Sequence, residues 1–196
     1  MTLAANHATS NILRRSSMRR LISFVVPALA IAACHRGTQA PSMLDMPVTS
    51  ARGTLRLADG REVGGVTLTQ TIAGVLVSAD LSSLPSGTHG IHFHAIGQCT
   101  GTEFASAGGH FNPAMKMHGL RNANGPHAGD LPNIHVPEGG RLRVELLAPN
   151  VRLGAGAGTL FDGDGAAIVI HALADDYQTD PAGGSGTRIA CAVLDR

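Results

Sequence analysis

Aromatic residues and long apolar segments are scarce in this sequence. It has 5 Phe, 1 Tyr and no Trp among 196 residues, and beyond residue 33 no stretch of useful length has the apolar period of a helix. Glycine (25) and proline (10) are abundant instead, and short alternating runs of Val, Leu, Ala and Thr lie between them. The composition predicts short strands joined by turns within one domain, because single domains commonly span roughly 100 to 200 residues.

The longest apolar run, Leu21–Ala33, is shorter than the roughly 20 residues that a membrane-spanning helix needs. It follows Met18-Arg19-Arg20 and ends in small residues. This order is typical of an export signal, which we favour over a buried structural helix. We predict a signal peptide region over residues 1–33, with Met18 as a candidate true start.

Cys34 closes the segment Ile31-Ala32-Ala33-Cys34, which resembles the lipobox of bacterial lipoproteins. We therefore expect a lipidated Cys34, a tether over residues 34–50 and a domain over residues 51–196, held in the periplasm or cell envelope through the lipid. Without residues 1–33 the chain has 11 Lys and Arg against 14 Asp and Glu. Its net charge of about −3 gives no support to nucleic-acid binding.

Cysteine is equally scarce, since Cys99 and Cys191 are the only two besides Cys34. In an exported chain they are a pair available for one disulfide, and we expect them to be bonded. Two free thiols are the alternative, which an oxidising compartment disfavours. The bond would close a loop of about 90 residues and contribute about 2–4 kcal/mol of stability.

Alternating apolar residues predict strands on both sides of a long irregular middle. Three strands within residues 51–81 indicate an antiparallel meander, and others are expected at His89–His94, Arg141–Leu147, Ala167–His171 and Arg188–Leu194. The connections Ala95–Arg141 and Ala172–Gly186 are long enough to be functional. We predict an all-β fold, a Greek-key antiparallel sandwich or barrel of immunoglobulin-like architecture, with two long functional loops.

Histidine is the residue present in excess in the middle of the chain. Between residues 90 and 130 the sequence has His92, His94, His110, His118, His127 and, at the end, Asp130. Imidazole and carboxylate groups are common transition-metal ligands. On a strand, His92 and His94 would point to the same side, roughly 7 Å apart, so that both could reach one metal. His171 ends a distant predicted strand and could add a third nitrogen.

The rest of this stretch offers a second ligand set. His110, His118, His127 and Asp130 would supply three nitrogens and one carboxylate oxygen, a complete tetrahedral set suited to zinc. Because imidazole has two nitrogens, one histidine could bridge two ions. Any one of these histidines alone could equally be a hydrogen-bonded surface or core residue, but the whole pattern favours two metals.

Five segments resemble motifs of the copper/zinc superoxide dismutases, particularly those of the bacterial periplasm. The segments are Gly90–His94, Ser106–Pro113, His127–Asn133, Ala167–His171 and Gly186–Cys191, and the resemblance as a whole covers about residues 51 to 194. The resemblance implies one copper and one zinc per subunit. The implied copper ligands are His92, His94, His110 and His171, and the implied zinc ligands are His110, His118, His127 and Asp130, so that His110 is the bridge.

The resemblance also implies roles for residues that do not bind metal. Asp175 would hydrogen-bond the outer nitrogens of His92 and His118, and Arg188 would attract an anionic substrate. Cys99 and Cys191 match the intrasubunit disulfide of the family. The implied activity is the disproportionation of superoxide to dioxygen and hydrogen peroxide, with Arg188 and His110 as catalytic residues, which would protect the cell envelope from oxidative damage.

Some features depart from the family pattern or leave alternatives open. Ala95 stands where many relatives have an acid, and the loop at residues 172–186 has no lysine. Substrate guidance would then come from Arg188, the metals, and Lys116 or Arg121. A homodimer is possible because bacterial relatives include monomers and dimers. A copper-delivery lipoprotein and a purely structural β-domain are the other candidate functions.

Overall fold

The structure is a computed structural model that describes residues 50–196. The predicted signal peptide (residues 1–33), Cys34 and the tether as far as residue 49 lie outside the described residues. Strand β1 begins at Ser50, the last residue of the predicted tether. Within residues 50–196, no helix is long and apolar enough to cross a membrane.

Short strands make up most of the regular structure. They are β1 (Ser50–Arg56), β2 (Glu62–Thr71), β3 (Gly74–Leu81), β4 (Gly87–His89), β5 (Ile91–His94), β6 (Ile134–Val136), β7 (Leu142–Ala148), β8 (Ala167–His171) and β9 (Arg188–Val193), and one 3-10 turn covers Ala105–Ala107. Seven strands form an antiparallel sheet in the order β5-β8-β9-β1-β2-β3-β7, and β4 pairs with β6. After β3 the chain crosses to the far edge to form β5, then returns to place β7 beside β3, which is a Greek-key connection.

Alternation of apolar and polar residues explains why the sheet curls around one core. Val66 and Leu68 of β2 are buried opposite Ala79 and Val77 of β3 in the antiparallel register. Burying a Val or Leu side chain contributes roughly 1.5–3 kcal/mol, so such pairs fix the register. Phe93 joins the same core from the far edge of the sheet. The predicted all-β fold is confirmed.

Strands β5 and β8 have two buried faces, and this places the histidines. Ile91 and Phe93 point into the main core, while His92 and His94 alternate to the other face and are fully buried. In the antiparallel register His92 lies opposite Val169 of β8. The histidines are therefore held between a rigid sheet and the loops that cover it.

Two elements differ from the prediction in detail. The single strand expected at His89–His94 is divided at Gly90, whose N–H donates to the Leu173 carbonyl oxygen and whose own carbonyl oxygen accepts from His171 N–H. Inside the predicted irregular stretch, the three residues of β6 pair with β4. So short a strand, ending just before Pro137, leaves too few residues for a visible alternation.

The predicted disulfide is present between Cys99 and Cys191, with Cα atoms 5.8 Å apart. It joins the loop after β5 to strand β9. Around it, Phe104, Ala107, Val169 and other apolar side chains form a second, minor core. This core anchors the loop that carries His110 to the outer face of the sheet.

Candidate metal centre

Four histidines from different parts of the chain meet on the outer face of β5 and β8. One ring nitrogen from each lies within 4.8 Å of the others, in a cluster formed by His92, His94, His110 and His171, which we call the four-histidine cluster. The nitrogens that face one another are His92 Nδ1, His94 Nε2, His110 Nε2 and His171 Nε2. All four are buried and have no hydrogen-bond partner among the described residues.

The opposite nitrogens of the same rings are hydrogen-bonded. The ring of His94 donates from Nδ1 to the carbonyl oxygen of Gly108 over 2.9 Å, and His171 donates from Nδ1 to that of Gly186 over 3.2 Å. His92 Nε2 lies 2.8 Å from Asp175 Oδ2. A neutral imidazole has only one N–H, so these bonds leave a lone pair on each inner nitrogen. Four convergent lone pairs without donors fit a metal ion, since each unsatisfied buried group would otherwise cost about 1–3 kcal/mol.

The second predicted set also comes together, in a cluster of His110, His118, His127 and Asp130 that we call the Asp130 cluster. Asp130 Oδ1 lies 3.0 Å, 3.1 Å and 3.3 Å from the Nδ1 atoms of His110, His118 and His127, respectively. The Nδ1 atoms of His127 and His110 are 3.4 Å apart. Tetrahedral ligands about 2.0–2.1 Å from zinc stand roughly 3.3 Å from one another, so the donor set fits zinc.

His110 belongs to both clusters. Its Nδ1 faces Asp130, while its Nε2 is the unpaired nitrogen that faces the other three rings. The two nitrogens of one imidazole thus point into two different ligand sets, which is the geometry that a bridging ligand requires.

Asp175 joins the two clusters from behind. Its Oδ2 lies 2.8 Å from His92 Nε2, and its Oδ1 lies 3.0 Å from His118 Nε2. The side-chain amide of Asn133 donates to the Asp175 carbonyl oxygen, and its own oxygen accepts from the Asp175 N–H. Hydrogen-bonded carboxylates of this kind orient ligand rings, and Asn133 in turn fixes the position of the carboxylate.

Burial and charge divide the rings into two electrostatic classes. Burial, together with neighbouring imidazoles, lowers the pKa of His94 to about 2, of His171 to about 3 and of His110 to about 4. Burial also opposes the cation of His118, but its hydrogen bonds to Asp130 and Asp175 outweigh it and raise the pKa of His118 to about 9. His94, His110 and His171 are therefore neutral rings ready to bind a cation, as metal ligands must be.

The two aspartates remain ionised in this buried environment. Burial alone would raise the pKa of Asp130, but hydrogen bonds from His110, His118 and the Gly119 N–H hold it well below its usual range. The pKa of Asp175 is likewise lowered, because hydrogen bonds from His118 and His92 outweigh the cost of burial. Both carboxylates are thus anions at neutral pH. This suits Asp130 as a ligand of a divalent ion and Asp175 as the hydrogen-bond partner that orients two ligand rings.

Arg188 lies at the mouth of the site at the start of β9. Its Nη1 and Nη2 donate to the carbonyl oxygens of Phe104 and Gly108 over 2.8 Å and 2.6 Å. Burial lowers the pKa of Arg188, but an arginine keeps its charge throughout the physiological range. Because Gly108 also accepts from His94, one carbonyl links the guanidinium to the four-histidine cluster.

A cavity of about 570 Å³ opens beside Arg188. Its lining includes Glu103, Gly109 and Thr187 together with the two glycines whose carbonyls orient His94 and His171. Beside Gly109 no heavy atom lies within 4 Å of where a Cβ would stand. The glycines in its lining thus leave room in this cavity for a small anion.

The structure brings together all the metal ligands predicted from the sequence, and it places Asp175, Arg188 and the disulfide beside them. Lys116 instead lines a separate cavity of about 420 Å³, and the guanidinium of Arg121 lies over the Tyr177 ring. His89 is not part of either cluster and makes a structural hydrogen bond, with Nδ1 2.8 Å from the carbonyl oxygen of His171. Sequence reasoning missed Asn133 as a positioning residue and Asp180, which contacts His118 and His127.

Comparison with known proteins agrees with the geometry. The family model for copper/zinc superoxide dismutase (SODC) matches residues 62–194. The chain belongs to the copper/zinc superoxide dismutase family. Superoxide dismutase (Cu-Zn) 1 of Aquifex aeolicus is 48% identical over 137 residues, which cover 69% of this chain and 81% of that protein. Superoxide dismutase (Cu-Zn) of Caulobacter vibrioides is 41% identical over 148 residues, 74% of this chain and 85% of that protein.

A solved structure supports the same family at the level of the fold. The crystal structure of a SOD-like protein from Bacillus subtilis matches with a TM-score of 0.70 and 40% sequence identity, covering 72% of this chain and 95% of that one. The resemblance drawn from the sequence motifs is confirmed. An enzyme of the superoxide dismutase type is supported, as are copper and zinc as the metals of the family.

Proposed function

We propose that this chain disproportionates superoxide at a copper ion bound by the four-histidine cluster, beside a zinc ion bound by the Asp130 cluster, with His110 shared between them. The observation that carries the proposal is the set of four buried ring nitrogens that face one another without a hydrogen-bond partner among the described residues. Only a bound cation would satisfy all four lone pairs at once.

The reaction converts two superoxide ions and two protons into dioxygen and hydrogen peroxide. Copper held by the four-histidine cluster would supply the one-electron redox chemistry for both halves of this reaction, whereas zinc held by the Asp130 cluster has no accessible redox change. His110 is placed to move one of the protons. With Nδ1 held in the Asp130 cluster, its Nε2 would hold a proton in one half of the cycle and give it to the reduced substrate in the other.

Arg188 would attract and orient the substrate at the mouth of the site. Its position is fixed by two carbonyl oxygens of the disulfide-bound loop, so the guanidinium needs little reorganisation when an anion arrives. Arginine has five N–H donors, and those not used by the loop remain for superoxide.

The two alternative functions account for fewer of these contacts. A copper-delivery protein has no need of an arginine anchored beside an open cavity, and here the arginine and every proposed copper ligand are present. A purely structural β-domain would leave no buried nitrogens without partners, because unsatisfied groups are costly in a core.

The proposal is tested by measuring superoxide decay with protein loaded with both copper and zinc. The matched control is the same protein loaded with zinc alone, which keeps the fold but has no redox-active ion. We expect rapid disproportionation only when copper is present. Stoichiometric binding of both metals without faster decay than the zinc-only control would contradict an enzymatic role.

We also propose that the protein protects the cell envelope from superoxide while attached to a membrane through Cys34. The support is the sequence of residues 18–34, with its basic start, apolar run and lipobox-like end. Replacing the cysteine, Cys34→Ser, should release the domain into the soluble envelope fraction, and retention of this variant on membranes would argue against the anchor. The molar mass of the metal-loaded protein in solution distinguishes a monomer from the possible homodimer.

A further inference from the structure

Asp180, in the loop between β8 and β9, contacts two members of the Asp130 cluster with one oxygen atom. Its Oδ1 accepts a hydrogen bond from the backbone N–H of His118 over 2.6 Å. The same Oδ1 lies 3.9 Å from Nε2 of His127. Asp180 is neither one of the proposed ligands nor the carboxylate that joins the two clusters, so its contacts require a separate explanation.

The contact with His127 lies at the most exposed side of the Asp130 cluster. The side chains of His118 and Asp130 are fully buried and that of His110 is 3% exposed, whereas that of His127 is 8% exposed. Asp180 is more open still, with 39% of its side chain exposed. Water and competing ligands therefore reach this cluster most easily beside His127 and Asp180.

The chemistry of the His127 ring explains why a carboxylate suits this position. With Nδ1 of His127 directed into the cluster, the ring N–H is on Nε2, the atom that faces Asp180. The separation of 3.9 Å is too long for a hydrogen bond but short enough for electrostatic attraction. His118 has the corresponding support at its Nε2 from Asp175. Each outer nitrogen of these two rings thus faces its own carboxylate.

The bond to the backbone of His118 has a different effect. It connects the loop after β8 directly to the segment that delivers His118, next to Gly119, whose N–H donates to Asp130 Oδ2. An ionised acceptor makes such a bond roughly twice as strong as a neutral one. The carboxylate therefore holds the backbone of one proposed ligand and the outer face of another at the same edge.

We propose that Asp180 is a positioning residue that keeps the Asp130 cluster closed at its solvent edge and slows the release of the metal bound there. The inference rests on the proposed zinc site, but it adds a residue and a kinetic role that the ligand set does not contain. Loss of a hydrogen-bonded partner behind a ligand typically lowers metal affinity about 10- to 100-fold. We expect the change to occur mainly in the rate of metal release.

The experiment uses the full chain with cobalt(II) bound in place of zinc, because tetrahedral cobalt has a visible absorption spectrum that reports its ligands. Metal release into excess chelator is followed by the loss of this absorption. Two variants are compared with the parent: Asp180→Ala removes the carboxylate, and Asp180→Asn keeps its shape and a neutral acceptor. Glu138→Gln, an exposed carboxylate in the turn after β6, is the matched control.

We expect release about 10- to 100-fold faster in Asp180→Ala and a smaller acceleration in Asp180→Asn, with a shifted cobalt spectrum in both. Glu138→Gln should match the parent, and thermal unfolding of the metal-free variants should change little. If Asp180→Ala does not fold, the test rests on Asp180→Asn. Metal release from Asp180→Asn at the parent rate would overturn the inference. Failure of the parent to bind cobalt or zinc in the Asp130 cluster would instead contradict the proposed function.

Discussion

At the scale of single residues, His92, His94 and His171 each direct one ring nitrogen into the four-histidine cluster and the other to a hydrogen-bond partner in the protein. Hydrogen bonds to Gly108 and Gly186 fix the outer nitrogens of His94 and His171, while Asp175 fixes that of His92. Since the outer N–H decides the tautomer, these partners determine which atom can bind a metal. Which nitrogen each ring presents to a metal therefore depends as much on these hydrogen-bond partners as on the histidines themselves.

Replacement of His171 distinguishes metal binding at the two clusters, because His171 belongs only to the four-histidine cluster. Removing the hydrogen-bond partner of a metal ligand typically lowers metal affinity roughly 10- to 100-fold. In His171→Ala a ligand itself is removed, so we expect copper affinity to fall by more than this while zinc binding is retained. Metal analysis after dialysis measures both. His135→Ala, at an exposed histidine bonded to Thr88, serves as the control and should keep both metals. Equal loss of zinc and copper in His171→Ala would contradict the division into two sites.

The raised pKa of His118 predicts how zinc binding depends on pH. In the metal-free protein, hydrogen bonds to Asp130 and Asp175 outweigh burial and raise that pKa to about 9, so the ring is a cation at pH 7. Zinc must displace the proton on Nδ1. Zinc binding at pH 7 should then release about one proton, and affinity should rise roughly tenfold per pH unit until about pH 9 and level off above it.

Calorimetry of zinc binding in buffers of different ionisation enthalpy counts these protons. The variant Asp175→Asn removes one of the two carboxylates that stabilise the cation, so it should release fewer protons at pH 7. Zinc binding by the parent with no proton release at pH 7, and with no change in affinity between pH 7 and pH 9, would show that His118 is already neutral.

At the scale of secondary-structure elements, the sequence predicts what alternation and motif spacing determine. The pair His92 and His94 follows from period-two geometry on a strand whose other face is apolar. The short strand β6 has no such signal, because it has three residues and gains its hydrogen bonds from β4. The sequence also gives no signal for the role of Asp180, since its contact with His118 spans 62 residues of sequence. Such contacts exist only after the loops have folded over the sheet.

The disulfide ties one of these loops to β9, and its removal tests that connection. Cys99 and Cys191 are 92 residues apart, so cross-linking them restricts the unfolded chain strongly. The double variant Cys99→Ser with Cys191→Ser should lose about 2–4 kcal/mol of stability and roughly 10 °C of melting temperature in the metal-free state. Scanning calorimetry measures the change, and an unaltered melting temperature would contradict a stabilising role.

At the scale of the whole molecule, the net charge opposes an anionic substrate. The chain after residue 33 has a net charge of about −3, and an anionic substrate is repelled by most of such a surface. Arg188 provides positive charge beside the cavity lined by Gly108 and Gly186, whose carbonyl oxygens accept hydrogen bonds from His94 and His171. Local attraction by Arg188 beside the cavity, rather than the electrostatic field of the entire protein, therefore has to capture superoxide.

Reversing that charge should slow capture without removing either ligand set. In Arg188→Glu we expect the rate of superoxide decay to fall roughly tenfold or more at low ionic strength. The difference from the parent should narrow as salt is added, because the Debye length falls to about 10 Å at 0.1 M. Copper and zinc content, measured in the same samples, should not change. An unaltered rate at low ionic strength would argue against substrate attraction by Arg188.

In the proposed centre one imidazole, that of His110, joins a copper site to a zinc site. Anomalous X-ray scattering from crystals of the metal-loaded protein, recorded on both sides of the copper and zinc absorption edges, tests it most directly. We expect copper among His92, His94, His110 and His171, and zinc among His110, His118, His127 and Asp130, in each chain. Zinc in both positions, or a single ion with one nitrogen of His110 left without a metal, would contradict it.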